Sequence, residues 1–154
     1  MESLLVTGTK RLVIAGDTEA AWAADRLGFG DGKKWPADTS ALAIYDGENL
    51  SATILFNCFF DGATCSAHIV TDGRRNWATR QMLYGIFAFP FLHCGLRRLT
   101  APIASKNTDA VVNAIKLGFK FEGLLRHARA DDDEVVLGML RDECIWIKTG
   151  NVNG

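Results

Sequence analysis

Two Asp-Gly steps, Asp46-Gly47 and Asp61-Gly62, divide a long apolar stretch into three strand-like pieces, residues 41–45, 50–60 and 63–70. Asp-Gly between apolar runs favours a tight hairpin turn, because both central positions need positive φ, which Asp tolerates and Gly adopts freely. The three pieces are therefore expected as an antiparallel meander. The apolar run 54–60 within the middle piece is expected to be covered on both faces, which requires helices on each side of the sheet.

Before the meander, residues 4–6 and 12–15 are short apolar runs around Thr-Gly-Thr-Lys-Arg, a hairpin or one interrupted strand. Asp17 is placed to cap a helix carrying Ala20, Ala21, Ala24 and Leu27, with Gly28 as its stop. Residues 28–38 are expected as a loop, with Trp35 as a lid over the core. After the meander, residues 75–93 carry Met82, Leu83, Ile86 and Phe87 on one helical stripe, and Pro90 is expected to end or kink that helix. Residues 98–104 form a further strand, in which Pro102 implies an edge or a lapse in pairing. Asn107 then caps a helix that stops at Gly118, and residues 119–126 and 135–147 form a closing hairpin across an acidic tip at 131–134. The last residues, rich in Gly and Asn, are expected to fray. The element order predicts an α/β fold with one mixed, mostly antiparallel sheet and helices on both faces. The connection from 63 to 104 must cross over right-handedly to a locally parallel strand.

Composition narrows the class. The chain has 154 residues, a formal net charge of −1 and 48% hydrophobic residues, which fits one soluble domain spanning 1–154. Such a balance argues against a generic nucleic-acid binder. Cys58, Cys65, Cys94 and Cys144 show no metal-ligand spacing and are expected as reduced core thiols in a cytoplasmic protein. No apolar run is long enough to span a bilayer, and the N-terminus lacks a signal-peptide pattern.

The strand-to-helix junction at 67–80 is the candidate functional stretch. A helix N-terminus presents unpaired N–H groups and a partial positive charge, and Arg74, Arg75 and Arg80 stand beside it. That combination suits an anion, above all a phosphate; a basic solvated loop is the plain alternative.

The run Asn107 to Arg126, Asn-Thr-Asp-Ala-Val-Val-Asn-Ala-Ile-Lys-Leu-Gly-Phe-Lys-Phe-Glu-Gly-Leu-Leu-Arg, resembles the Asn-x-x-Ser/Ala … Lys-Leu-Gly-Phe-x-x-Glu-Gly segment of the GNAT acetyltransferases. It is most similar to the branch that acetylates ribosomal-protein N-termini. Leu137 to Cys144 is similar to that branch's closing strand, and Gly95-Leu96-Arg97-Arg98-Leu99 to the family's turn into its fifth strand. The resemblance covers roughly residues 41–146. It implies a sheet in which the strand at 63–70 splays from the strand at 98–104, with acetyl-CoA in the gap. Backbone near Ile69 and Val70 would pair with the pantetheine and stabilise an oxyanion. The junction carrying Arg74, Arg75, Asn76, Ala78, Thr79 and Arg80 would take the pyrophosphate, and Asn107 would reach the same gap.

The sequence departs from the family in two places. The pyrophosphate loop has no glycine pair; the motif fits as Arg75-x-x-Ala78-x-Arg80 or as Gly73-x-x-Asn76-x-Ala78, the second drawing on the tolerance of Asn for left-handed backbone. The family's tyrosine acid falls at about Ala114. His68, which titrates near neutrality, is the candidate base, and Ser105 is placed to polarise or orient a group at the gap. Each has a structural alternative, a packed histidine and a turn-forming serine. The expected function is transfer of an acetyl group to a primary amine, on a protein or another macromolecule. The alternatives are a GNAT-fold binding module without catalysis and a nucleobase-modifying enzyme.

Overall fold

The structure, a computed structural model, describes residues 2–29 and 34–148. The expected C-terminal fraying and positions 30–33 of the expected loop lie outside these residues.

Eight strands form one sheet: β1 (Ser3–Thr7), β2 (Lys10–Ile14), β3 (Ser40–Asp46), β4 (Asn49–Phe60), β5 (Thr64–Thr71), β6 (Arg98–Ala104), β7 (Lys120–Leu125) and β8 (Glu134–Leu140). Their order is β1-β2-β3-β4-β5-β6-β8-β7. The meander stands as expected, with Gly47 and Gly62 at φ +61° in its two turns. Every neighbouring pair is antiparallel except β5 and β6. Helix α1 (Asp17–Arg26) covers one face, while α2 (Arg80–Ala88) and α3 (Thr108–Leu117) cover the other.

β4 separates two cores. Ile54 and Phe56 point into a large cluster with Met82, Ile86 and Phe87 of α2 and with Leu99 and Leu137 of β6 and β8. Leu55 points the other way, into a small cluster with Ala23 of α1 and Val70. Trp35 seals that small cluster, donating from Nε1 to the Ala20 carbonyl at 2.9 Å. It is the lid its loop position predicted.

Several boundaries differ from expectation. Gly16, not Asp17, precedes the first helical turn, because Glu19 reaches back to accept the Gly16 N–H at 2.7 Å. Helix α2 begins at Arg80 rather than 75: Thr79 caps it by accepting the Met82 N–H at 3.3 Å, and Trp77 is buried ahead of it in loop backbone. The α-helix ends at Ala88, just before Pro90, as expected, and the chain runs on through a π-helical turn, Phe89–His93. β8 ends at Leu140, where Glu143 accepts the Leu140 N–H at 3.0 Å and turns the chain into 3₁₀ structure. Asn107 caps α3 through the Ala110 N–H at 3.3 Å, and Gly118 closes it at φ +114°. All four cysteines are free, yet Cys58 and Cys94 are exposed; only Cys65 and Cys144 are core thiols.

Candidate active site

β5 and β6 pair over three positions only, Thr64 with Arg98, Cys65 with Leu99 and Ser66 with Thr100. Beyond Ser66 they part. β5 continues against β4 through Thr71, and β6 continues against β8 through Ala104. Among the described residues, the backbone groups of 67–71 that point away from β4 thus have no strand paired opposite them. Pro102 lies in the parted stretch of β6, where a residue without an N–H costs no ladder bond. The predicted lapse in pairing is there, although β6 is not an edge strand.

One lip of the gap is the β5–α2 corner, which brings together His68, Ile69, Val70, Arg74, Arg75, Asn76, Ala78, Thr79 and Arg80. Gly73 turns the chain at φ +94°. Asp72 then folds the loop on itself, accepting the Arg74 N–H at 2.9 Å, the Arg74 guanidinium at 2.8 Å and the Asn49 amide at 3.1 Å. Burial opposes the charge on Asp72, but the Arg74 backbone N–H, the Arg74 side chain and Asn49 together hold its carboxyl below the ordinary range. Arg74 is therefore already neutralised. Arg75 reaches Asn113 of α3 at 3.5 Å, and the Arg80 guanidinium lies over the Trp146 ring at 5.9 Å. Asn76 donates to Asp46 at 3.3 Å and has negative φ. The left-handed role that made Asn76 attractive in the second motif register is absent, since Gly73 alone makes the reversal. Ala78 donates its N–H to the Arg75 carbonyl at 3.1 Å, which closes the loop into the Thr79 cap.

The other lip is the β6–α3 corner with Ser105 and Asn107. Ser105 donates its hydroxyl to Asp132 at 2.6 Å and its N–H to the Asp133 carbonyl at 3.0 Å. Asp132 also accepts the Lys106 N–H at 2.8 Å. The Ser105 hydroxyl and the Lys106 N–H hold the Asp132 carboxyl below its usual range. The acidic tip is thus a latch onto this corner: Asp133 accepts the His127 N–H at 2.8 Å, and Glu134 pairs with Arg129 at 3.3 Å. A shallow concavity of about 540 Å³ lies over the tip between His127 and Asp133.

His68 follows the point of parting by two residues. Its Nε2 lies 3.3 Å from Asn57 Oδ1, and its ring packs against Trp35 with centroids 5.5 Å apart. Burial, aided by the nearby Arg129 charge, lowers its pKa to about 4, so the imidazole is neutral at physiological pH. Arg129 donates to the Pro102 carbonyl at 3.3 Å, and its charge is felt at His68 on the neighbouring strand. Ala114 is buried and offers no acid. Sequence reasoning missed Asn57, the reach of Arg129 to the Pro102 carbonyl and the Asp132 latch. The readable signal was Asn57 itself, an amide within an apolar strand that had to find partners.

The splayed mixed sheet, with α2 starting after β5 and α3 after β6, is the GNAT acetyltransferase fold. Spermidine N-acetyltransferase SpeG of Vibrio cholerae, in a single-substitution mutant form, superposes with a TM-score of 0.72 at 10% identity, over 92% of this chain and 98% of that one. Ribosomal-protein-S5-alanine acetyltransferase of Vibrio fischeri superposes with a TM-score of 0.70 at 13% identity, over 91% and 97%. No protein-family model matches the sequence, and no curated protein does at significance. At these identities the likeness is one of fold. No helix among the described residues is long and apolar enough to cross a membrane.

Proposed function

We propose that this chain transfers an acetyl group from acetyl-CoA to a primary amine. The observation that carries the reading is the parting of β5 from β6 after three residue pairs, which leaves a row of β5 backbone groups facing a gap. A pantetheine arm, with two amides in line, is the kind of ligand such a row can pair with. The loop before α2 fits the pyrophosphate in part. Arg75 and Arg80 bring positive charge to a helix N-terminus, and Gly73 makes the turn, whereas Ala78 and Arg80 stand where glycines would let backbone approach. Weak cofactor binding relative to a glycine-rich loop follows.

Acetyl-CoA supplies an activated thioester: the amine nitrogen bonds to the acetyl carbon, the carbon–sulfur bond breaks, and CoA leaves as the thiol. His68 takes the proton that the amine nitrogen loses as it attacks and returns it to the departing sulfur, so the ring is neutral before and after turnover. An N–H at Ile69 or Val70 stabilises the charge developing on the carbonyl oxygen. Asn107 retains an amide N–H₂ group for the cofactor while its oxygen caps α3. Ser105 orients the β6 side through Asp132. Positioning of amine and thioester does most of the work. The acceptor proposed is a protein N-terminus or lysine, supported by the fold's likeness to ribosomal-protein-S5-alanine acetyltransferase; a polyamine is the smaller alternative, by analogy with spermidine N-acetyltransferase.

The second reading is a GNAT-fold module that binds without turnover, favoured by the buried Ala114 and by the Ser105 hydroxyl already bound to Asp132. A thermal-shift titration with acetyl-CoA and CoA separates the outcomes. The expected result is a saturable rise in Tm with both ligands, followed by thiol release when peptide amines or polyamines are added. Binding without thiol release moves the assignment to the second reading, and no shift at millimolar ligand overturns both.

A further inference from the structure

Behind His68 runs a chain of hydrogen bonds whose direction is set at its far end. The Pro36 carbonyl can only accept. Thr39 lies 2.6 Å from it through Oγ1 and 3.1 Å through its backbone nitrogen, so the threonine hydroxyl donates its one proton there. Thr39 Oγ1 can then serve its next neighbour only as an acceptor. That neighbour is the side-chain amide of Asn57, 3.3 Å away and 1% exposed, which must present its N–H₂ to Thr39. The Asn57 carbonyl oxygen is left facing His68 Nε2 at 3.3 Å. An oxygen facing an imidazole nitrogen requires a proton on that nitrogen.

We infer that the relay Pro36–Thr39–Asn57–His68 holds His68 as its Nε2–H tautomer, so that Nδ1 is the nitrogen able to accept a proton. Asn57 and Thr39 are positioning residues: they touch no substrate and act through the imidazole. The relay is built into the fold. Asn57 is the last regular residue of β4 before the bulge that carries Cys58 at φ +54°, and Asp38 pins the Thr39 loop to that bulge by accepting the Phe59 N–H at 2.9 Å. Around the ring, Trp35 supplies an apolar wall from the loop before β3, and Arg129 supplies positive charge from the β7–β8 connection. Both surroundings disfavour a second proton on the ring, leaving one neutral tautomer with one available lone pair.

The inference takes its catalytic consequence from the acetyl-transfer reading, whereas the tautomer itself does not depend on that reading. Nitrogen-15 NMR of the histidine ring in the full chain tests it near neutral pH. The expected spectrum has a proton on Nε2, slow to exchange, and a bare Nδ1. Asn57→Leu and Thr39→Val should each speed exchange of that proton at least about tenfold, while Thr39→Ser, which keeps the hydroxyl, restores the slow rate. Asn57→Asp should raise the His68 pKa by setting a carboxylate against the Nε2–H. A proton found on Nδ1 in the wild-type chain, or an exchange rate indifferent to Thr39→Val, overturns the relay. If acetyl transfer is measurable, Thr39→Val should lower kcat about tenfold with KM for acetyl-CoA unchanged, since general-base help rather than binding is lost. A chain that shows the Nε2–H signal but no turnover refutes the acetyl-transfer reading and leaves the relay standing.

Discussion

The burial of His68 has a measurable cost. Its folded pKa of about 4 lies below the value of 6.5 for an unperturbed histidine. Between those values the unfolded chain binds a proton that the folded chain refuses, so stability falls as pH drops from 6.5 towards 4 and levels off below. The loss amounts to at most about 3 kcal/mol. Urea unfolding at several pH values should show this slope in the wild-type chain and a flatter one in His68→Gln. The arginines of the loop before α2 make a second contrast at this scale. Arg74 is already paired with Asp72, whereas Arg75 reaches the neutral amide of Asn113. Arg75→Ala should weaken CoA binding about fivefold at low salt and less at high salt. Arg74→Ala should change it far less, as calorimetry would show.

At the scale of elements, α2 sits against the sheet because of one missing side chain. A Cβ at Gly85 would come within 2.6 Å of Leu12 Cδ2 and 3.7 Å of Leu5 Cδ2. Gly85→Ala gains about 1 kcal/mol of helix propensity but forces apart a buried contact, an overpacking that costs about 1–3 kcal/mol. A net loss of about 1 kcal/mol in chemical denaturation is expected, together with a shift of the loop that leads into α2. The caps were readable locally, because Asn107 and Gly118 act within four residues of themselves. The start of α2 was not. The residues from Arg75 to Ala78 carry no helix breaker, and only the burial of Trp77 against the core and the Thr79 cap delay the helix to Arg80.

Taken whole, the molecule is two sheet halves sharing a short seam. β1 to β5 form one half and β6 to β8 the other, joined by three parallel residue pairs and by the packing of Phe87 and Phe91 beneath both. Native-state hydrogen exchange should find β6 and β8 opening at lower denaturant than β3 and β4, because the seam offers few cross-strand bonds to break. Acetyl-CoA or CoA bridging the gap should narrow that difference and protect amides in residues 67–71. Unchanged exchange in β5 at saturating ligand would place the ligand elsewhere.

From the order of turns, caps and apolar runs alone, the chain determined its element sequence, its α/β class and the presence of a strand-to-helix corner after β5, though not the residue at which α2 starts. Those signals are local: Asp-Gly turns, an Asn cap and a Gly stop each act over a few residues. Only the tertiary structure decided that the parting begins after Ser66, that the acidic tip latches onto Ser105 and Lys106, and that Arg74 is spent on Asp72 while Arg75 is not. It also brought Asn57 to His68 across the β4–β5 register and Arg129 to the Pro102 carbonyl, 27 residues apart in the chain. Contacts of that kind depend on register and on sheet order. A pattern of residues constrains these weakly, because a shift of one position in a strand turns every side chain to the opposite face.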